Sequence, residues 1–322
     1  MVKIAFFGTP DFAVPSLERL VAAGESVVLA VTRPDRPRGR GQRLQPSPVK
    51  ASALDHGIPL LQPERAREPG FAAGLAASGA DLGVVVAYGQ ILPDDVLATP
   101  RHGVINVHAS LLPRYRGAAP IQRAVVAGER ETGVTMIRLV REMDAGPMLA
   151  SASRRIGDHE TGADVERALA AMGADLLLDT VRAIDAGRVR EQPQDHALAT
   201  YAPRLTREDG RIDWTRPART VHDLVRGLHP WPPAFTFLSE SRYLIRRTAP
   251  HAGFVPARDS APPPGAVVEA RGDRLRVACG EGSVLSILEI QPEGRRAQSA
   301  REFLAGRHIP PGAVFRPSPP PA

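Results

Sequence analysis

Short apolar runs alternate with longer, one-sided stretches through the first half of the chain. Val2–Phe7 is an apolar run closed by Gly8, which predicts a buried strand. From Pro10 to Gly24 the apolar residues Phe12, Leu17, Leu20 and Val21 fall on one side, which predicts a helix stopped at Gly24. Val27–Val31 reads as a second strand, Ser47-Pro48 as the capped start of a helix reaching His56, and Ile58–Leu61 as another short strand. Asp81–Tyr88 contains LGVVV, a continuous β-branched run suited to a parallel strand buried on both faces. Gly103–His108 and Val134–Leu139 predict further strands. Thr161–Ala186 predicts a long helix with Val165, Leu169, Met172, Leu176 and Ile184 on one face and Gly187 at its end. This alternation predicts an α/β domain, a doubly wound, mostly parallel sheet of Rossmann-like kind.

After residue 187 the pattern changes. Residues 187–210 are polar and read as a linker, and Ala218–Leu228 as a short helix. Short β runs then follow at Ala234–Leu238, Tyr243–Arg247, Gly265–Ala270, Leu275–Ala278 and Val284–Ile290, separated by Gly-containing turns. This spacing predicts a small β-barrel. Residues 250–264 are rich in Ala and Pro and read as a surface loop, and the closing PSPPPA as a disordered tail. The expected organisation is a first domain over 1–189, a linker over 190–208, a barrel over 209–312 and a tail over 313–322.

Composition narrows the class without choosing a function. A length of 322 residues suits two domains, and 43% hydrophobic with 24% charged residues is ordinary for a globular protein. Residues 1–190 carry 23 Lys+Arg against 21 Asp+Glu, and residues 191–322 carry 18 against 14. The second half is thus the more basic, which permits a polyanionic partner and equally suits a solvated surface. All but two of the cations are Arg, the exceptions being Lys3 and Lys50. The one cysteine, Cys279, supports neither a disulfide framework nor a Cys-based zinc site. MVKIAFFG lacks the charged start and long apolar run of a signal peptide, and no apolar stretch of about 18 residues predicts a membrane span. A cytoplasmic, monomeric protein is the expectation.

Four places could carry chemistry. Gly8-Thr9-Pro10-Asp11-Phe12 follows the first strand, where a helix start favours anions; it is not GxGxxG, so a nicotinamide dinucleotide site is poorly supported. Asn106 and His108 sit two apart at the end of a strand and so share a face. An Asn amide can donate to a developing oxyanion and a His can move a proton near pH 7, although such a pair is also a common structural feature. Asp144, in Met143-Asp144-Ala145-Gly146, could hold an imidazole tautomer and stabilise its charged form; equally it suits an ordinary turn. Residues 33–46 form a long predicted loop with Arg33, Arg36, Arg38, Arg40 and Arg43 against a single acid, Asp35, a composition suited to phosphate contacts or to a solvated loop.

Longer runs point further. VVVAYGQILP, GVINVHASLLPRYRGAAPIQRAVVAGERETGVT and MDAGPML are similar to the formyltransferases that use 10-formyltetrahydrofolate. FGTPDFAVPSLERL, EDGRIDW, RGLHPWPPA and LEIQPEGRRAQSAREFLAGR extend the likeness over roughly residues 1–310. That breadth resembles the branch whose acceptor is methionyl-initiator tRNA, since smaller relatives share only the first half. The resemblance implies that Asn106, His108 and Asp144 are catalytic, and that Ser110, Leu111, Leu112 and Pro113 bind folate with Tyr88, Gly89 and Gln90. It further implies that Arg36, Arg38, Arg40 and Arg43 meet the tRNA, with Arg40 at the main basic position, that the C-terminal half is an OB-like barrel, and that no metal is used. Pro147 departs from the family, standing where an acid is common, and so does the proline cluster at 262–264. The rival readings are a formyltransferase acting on an amino-sugar nucleotide or glycinamide ribotide, and a non-catalytic RNA-binding protein.

Overall fold

The computed structural model describes residues 1–38, 43–251, 262–310 and 312–319. The chain forms two compact units, one of Met1–Pro120, Glu131–Arg155 and Glu166–Ala202, the other of Ile121–Arg130, Ile156–Val165 and Pro203–Ala322.

The first unit is built on strands β1 (Lys3–Gly8), β2 (Ser26–Val31), β5 (Leu60–Leu61), β6 (Leu82–Val86), β7 (Val104–His108), β8 (Glu131–Arg138) and β9 (Met148–Arg155), with β3 (Arg36–Arg38) and β4 (Arg43–Gln45) forming a separate ribbon. The sheet order is β5-β2-β1-β6-β7-β8-β9. Pairs among β5, β2, β1, β6 and β7 are parallel, while β7–β8 and β8–β9 are antiparallel. The chain runs outward from β1 to β5, then returns to lay β6 on the other side of β1. The order therefore reverses between β1 and β6, and crevices at the carboxyl ends near such a reversal are where α/β sheets bind ligands. The mostly parallel α/β sheet expected from the sequence is present. Its central strands are apolar throughout because helices cover both faces: β1 and β6 have no exposed interior residue. Helices α1 (Val14–Ala22), α2 (Pro48–Asp55), α3 (Phe71–Ala77) and α4 (Asp94–Ala98) belong to this unit, α5 (Pro120–Val126) lies with the second unit from Ile121 on, and the long α6 (Gly162–Asp185) belongs to the first from Glu166 on. Ser47 caps α2 as its position suggests, its hydroxyl accepting from Lys50 N at 3.1 Å. Gly173 brings α6 close to the sheet, where an added Cβ would lie 3.1 Å from Val107 Cγ1.

Two expectations are corrected in this unit. Residues 33–46 are not simply a loop: β3 and β4 pair antiparallel, Arg38 opposite Arg43. The ribbon's base is tied down by Lys50 Nζ, 2.6 Å from Asp35 Oδ2, and by Gln62, which donates to Asp35 Oδ1 and Arg33 O. Arg40 lies outside the described residues. Nor is the polar stretch after α6 a free linker. Gln192 pairs with Met148, and Arg116 with Tyr201, so the chain to Ala202 is part of the first unit.

The second unit is an antiparallel sheet in the order β12 (Val267–Arg271), β13 (Arg274–Ala278), β14 (Val284–Pro292), β11 (Ser241–His251), β10 (Ala234–Leu238) and β16 (Phe315–Arg316), with β15 (Gln298–Ser299) on β14. Register shifts in β11 help the sheet curl. The curl brings its ends together, with Ala266 bridging Val314, Val267 N donating to Ala313 O and Phe315 N donating to Gly265 O, both at 2.8 Å. Helices α7 (Ala218–Gly227) and α8 (Ala300–Ala305) flank it. Trp214, Tyr243, Leu285, Ile287, Phe303 and Phe315 belong to its core. The barrel expectation agrees with this curled sheet, but the expected disordered tail from 313 does not. Phe315 is 1% exposed and its strand joins the two ends of the sheet. The Ala/Pro-rich 252–261 lies outside the described residues.

Candidate active site

Strand β7 lies between β6 and β8 and ends at His108. Val107 turns toward α6, so Asn106 and His108 face the opposite side, with Asn106 half-buried and His108 buried. His108 Nε2 lies 2.9 Å from Tyr115 O. A carbonyl only accepts, so Nε2 carries a proton. His108 Nδ1 lies 3.6 Å from Asp144 Oδ2, beyond hydrogen-bond length but within ion-pair reach. The same carboxylate oxygen accepts from Gly117 N at 2.8 Å. The side chains of His108 and Asp144 are 6% and 13% exposed, so water screens their interaction little. This differs from the triad-like expectation. The Tyr115 carbonyl sets the tautomer, and Asp144 faces the ring nitrogen that is free to take a proton.

Two loops aim these groups. Tyr115 adopts φ +60° and its N–H donates to Thr200 Oγ1 at 2.9 Å, which fixes the carbonyl facing His108. Asp144 adopts φ +50° in a turn that passes close to β8. A Cβ on Gly146 would collide with Arg138 O, so glycine alone allows that approach. Gln194 donates to Asp144 O and Gly146 O and accepts from buried Arg116. Thr135, Arg116, Gln194 and Thr200 were not found from the sequence. Their partners lie between 23 and 85 residues away, and no local spacing marks such pairs.

The segments assigned to folate leave adjacent parallel strands at their carboxyl ends. Along 110–113, Ser110 Oγ donates to Arg114 O at 2.7 Å, Thr135 Oγ1 donates to Ser110 O at 2.7 Å, and Leu112 N donates to Thr135 Oγ1 at 3.1 Å. The Leu112–Pro113 peptide is cis, and Leu111 packs against Gly133, where no side chain fits. In 88–90 the side chains turn inward instead. The Tyr88 ring is buried edge-on to Phe7 at 5.7 Å, and burial pushes its hydroxyl up to about 12. Gln90 Oε1 accepts from Ala66 N at 2.8 Å. The backbone around Gly89 (φ +83°) is what this segment offers at the mouth. Thr9 is a brace rather than an anion site, its hydroxyl donating to Tyr88 O and accepting from Arg33 N. Arg36 stands exposed on the ribbon, apart from the His108 site in sequence and in sheet.

Residues 2–181 match the family described as formyl transferase, and residues 204–308 match the formyl transferase C-terminal domain. The chain is 48% identical to a methionyl-tRNA formyltransferase of Heliobacterium modesticaldum, over 98% of this chain and 100% of that one. It is 45% identical to the enzyme of that name from Geobacter metallireducens, over 97% of each. Among solved structures, a sugar 3N-formyl transferase determined in the presence of 5-N-formyl-THF superposes with a TM-score of 0.66 at 18% identity, covering 92% of this chain and 99% of that one, which shows a shared fold. The chain therefore belongs to the formyl transferase family, in company with the methionyl-tRNA formyltransferases, and carries both domains of that family.

Proposed function

We propose that the protein transfers the formyl group of 10-formyltetrahydrofolate to the α-amine of methionyl-initiator tRNA, in the cytoplasm and as a monomer. The observation that carries the chemistry is His108, held between the Tyr115 carbonyl and the Asp144 carboxylate two residues beyond Asn106. The acceptor is supported by near-complete coverage of relatives named for methionyl-tRNA.

The donor fits the mouth formed by 88–90 and 110–113. With Tyr88 and Gln90 turned inward, peptide groups and the Leu111–Pro113 stretch are presented to a flat ring system, and Ser110 and Thr135 hold that stretch in shape. When bound, the folate supplies an activated formyl carbon. Asn106 donates its amide N–H to the formyl oxygen as negative charge gathers there during attack by the amine. His108 receives the proton the amine must lose, at Nδ1, the nitrogen whose lone pair the Tyr115 contact leaves free, and passes it to the donor nitrogen as the bond from that nitrogen to the formyl carbon breaks and tetrahydrofolate leaves. Asp144 opposes the charge that then forms on the ring, and Gly117 N–H holds the carboxylate in place.

The basic segment 33–46 is assigned to the tRNA, with Arg36, Arg38, Arg40 and Arg43 meeting backbone phosphate. A small amine acceptor such as an amino-sugar nucleotide is the second reading, supported by the fold shared with the sugar enzyme. The gap between 18% and 48% identity favours methionyl-tRNA. A purified His108→Ala variant should fold normally and form acid-stable formyl-methionine about 10²–10⁴-fold more slowly. A variant that turns over at the normal rate would sink the assignment.

A further inference from the structure

Gln194 lies in the polar stretch after α6, and its buried side chain uses every hydrogen-bonding position it has. The amide nitrogen donates to Asp144 O at 2.8 Å and to Gly146 O at 2.7 Å. Oε1 accepts from Arg116 Nε at 3.1 Å and from Arg116 Nη2 at 2.6 Å. Two donors and two acceptor positions exhaust a carboxamide. Arg116 is itself buried, with His196 Nδ1 3.4 Å from both Nη atoms. The carbonyls that Gln194 grips belong to the turn carrying Asp144, whose φ of +50° is uncommon for a residue with a side chain. Strained turns of this kind persist only where neighbours over-determine them.

We propose that Gln194 is a positioning residue for formyl transfer, holding the Asp144 turn so that its carboxylate faces Nδ1 of His108, with Arg116 fixing the direction of the amide. This rests on the reading of His108 and Asp144 as catalytic. The geometry requires glutamine. Glutamate would keep the contact to Arg116 but present only acceptors to two carbonyl oxygens. Asparagine is one methylene too short to reach both Arg116 and the turn. Because Gln194 acts through Asp144, its loss weakens the chemical step and leaves substrate binding intact.

The test uses the full chain as wild type, Asp144→Ala, Gln194→Ala, Gln194→Glu and the Gln194→Ala/Asp144→Ala double variant. For each, kcat and the KM values for 10-formyltetrahydrofolate and methionyl-tRNA are measured, with Tm alongside. Gln194→Ala and Gln194→Glu should lower kcat roughly 10–100-fold with both KM values nearly unchanged. The double variant should be no slower than Asp144→Ala alone, because the two residues act as one unit. Wild-type kcat in Gln194→Glu, or a double variant whose loss is the product of the two single losses, would overturn the inference. If Gln194→Ala does not fold, Gln194→Glu decides alone, since it keeps Arg116 paired. An Asp144→Ala variant with normal kcat would overturn the catalytic reading, and this inference with it.

Discussion

The site depends on which atom faces which. Asn106, His108 and Asp144 stand out through the likeness of their surrounding runs to the formyltransferases, since a strand end with period-two polar residues and an Asp-x-Gly turn also suit structural roles. What makes them a site is not local. The Tyr115 carbonyl, the Thr200 hydroxyl and the Gln194 amide come from segments without a chemical motif, and only the folded chain brings them together. The fold turns one side chain of the assigned folate segment inward. Tyr88 lies in the assigned folate segment, yet its ring packs on Phe7 and its hydroxyl is buried without a hydrogen-bond partner among the described residues. A buried, unpaired hydroxyl costs about 1–3 kcal/mol. Tyr88→Phe should therefore match or exceed wild-type stability in urea, with formyl transfer unchanged. A drop in the urea midpoint, or a raised KM for folate, would show that the hydroxyl has a partner or reaches the ligand.

Regular elements were legible where burial on one face or both wrote a period into the chain, as in β1, β6 and α6. They were missed where burial was partial. Strand β9, MLASASRR, is a sheet edge of small and polar residues and carries no apolar run. Half of the β3–β4 ribbon is arginine, and β16 was hidden by the prolines that follow it. Helix α7 makes a different departure, since it buries charge. His222, Asp223 and Arg226 are all buried, Arg226 Nε lies 2.6 Å from Asp223 Oδ1, and Arg219 Nε lies 3.0 Å from Asp223 Oδ2. His222 Nδ1 meets Thr248 Oγ1 at 3.0 Å, its Nε2 meets Asp158 O at 3.2 Å, and His159 stacks edge-on against it. Burial pushes the His222 pKa below its ordinary 6.5, with Asp223 opposing that shift and Arg226 and Arg219 adding to it. The unfolded chain therefore takes up a proton at this residue before the folded one does. Stability held above pH 6.5 is lost as pH falls through that value toward the lower folded pKa. Urea midpoints at pH 7.5 and pH 5.5 (roughly one unit either side of an unperturbed His) should fall more for wild type than for His222→Gln. Equal falls would remove His222 from the acid response.

For the whole molecule, the shift from helix-period to short-strand patterning gave two domains, and the structure has two units. The boundary differs because the polar stretch after α6 packs on the first unit rather than linking the two. Gln194 satisfies the buried Arg116, and Thr200 accepts from Tyr115 N, both within the first unit. Charge belongs to this scale as well. The basic ribbon and the more basic second half suit a partner with a phosphate backbone, and each lost phosphate contact lowers the salt dependence of binding by about one. Arg40→Ala should accordingly raise KM for the tRNA, flatten its dependence on salt and leave KM for the folate unchanged. A tRNA KM that stays at the wild-type value across salt concentrations would remove Arg40 from the tRNA contact.

The most direct test of the central claim is a transfer assay with the unmodified protein. It would be given 10-formyltetrahydrofolate and, in separate reactions, methionyl-initiator tRNA, methionyl-elongator tRNA and an amino-sugar nucleotide, and the formylated amine would be counted in each. The account predicts rapid formyl-methionine on the initiator tRNA and little product elsewhere. Transfer to the sugar nucleotide with none to either tRNA would keep the fold and the donor but contradict the function proposed here.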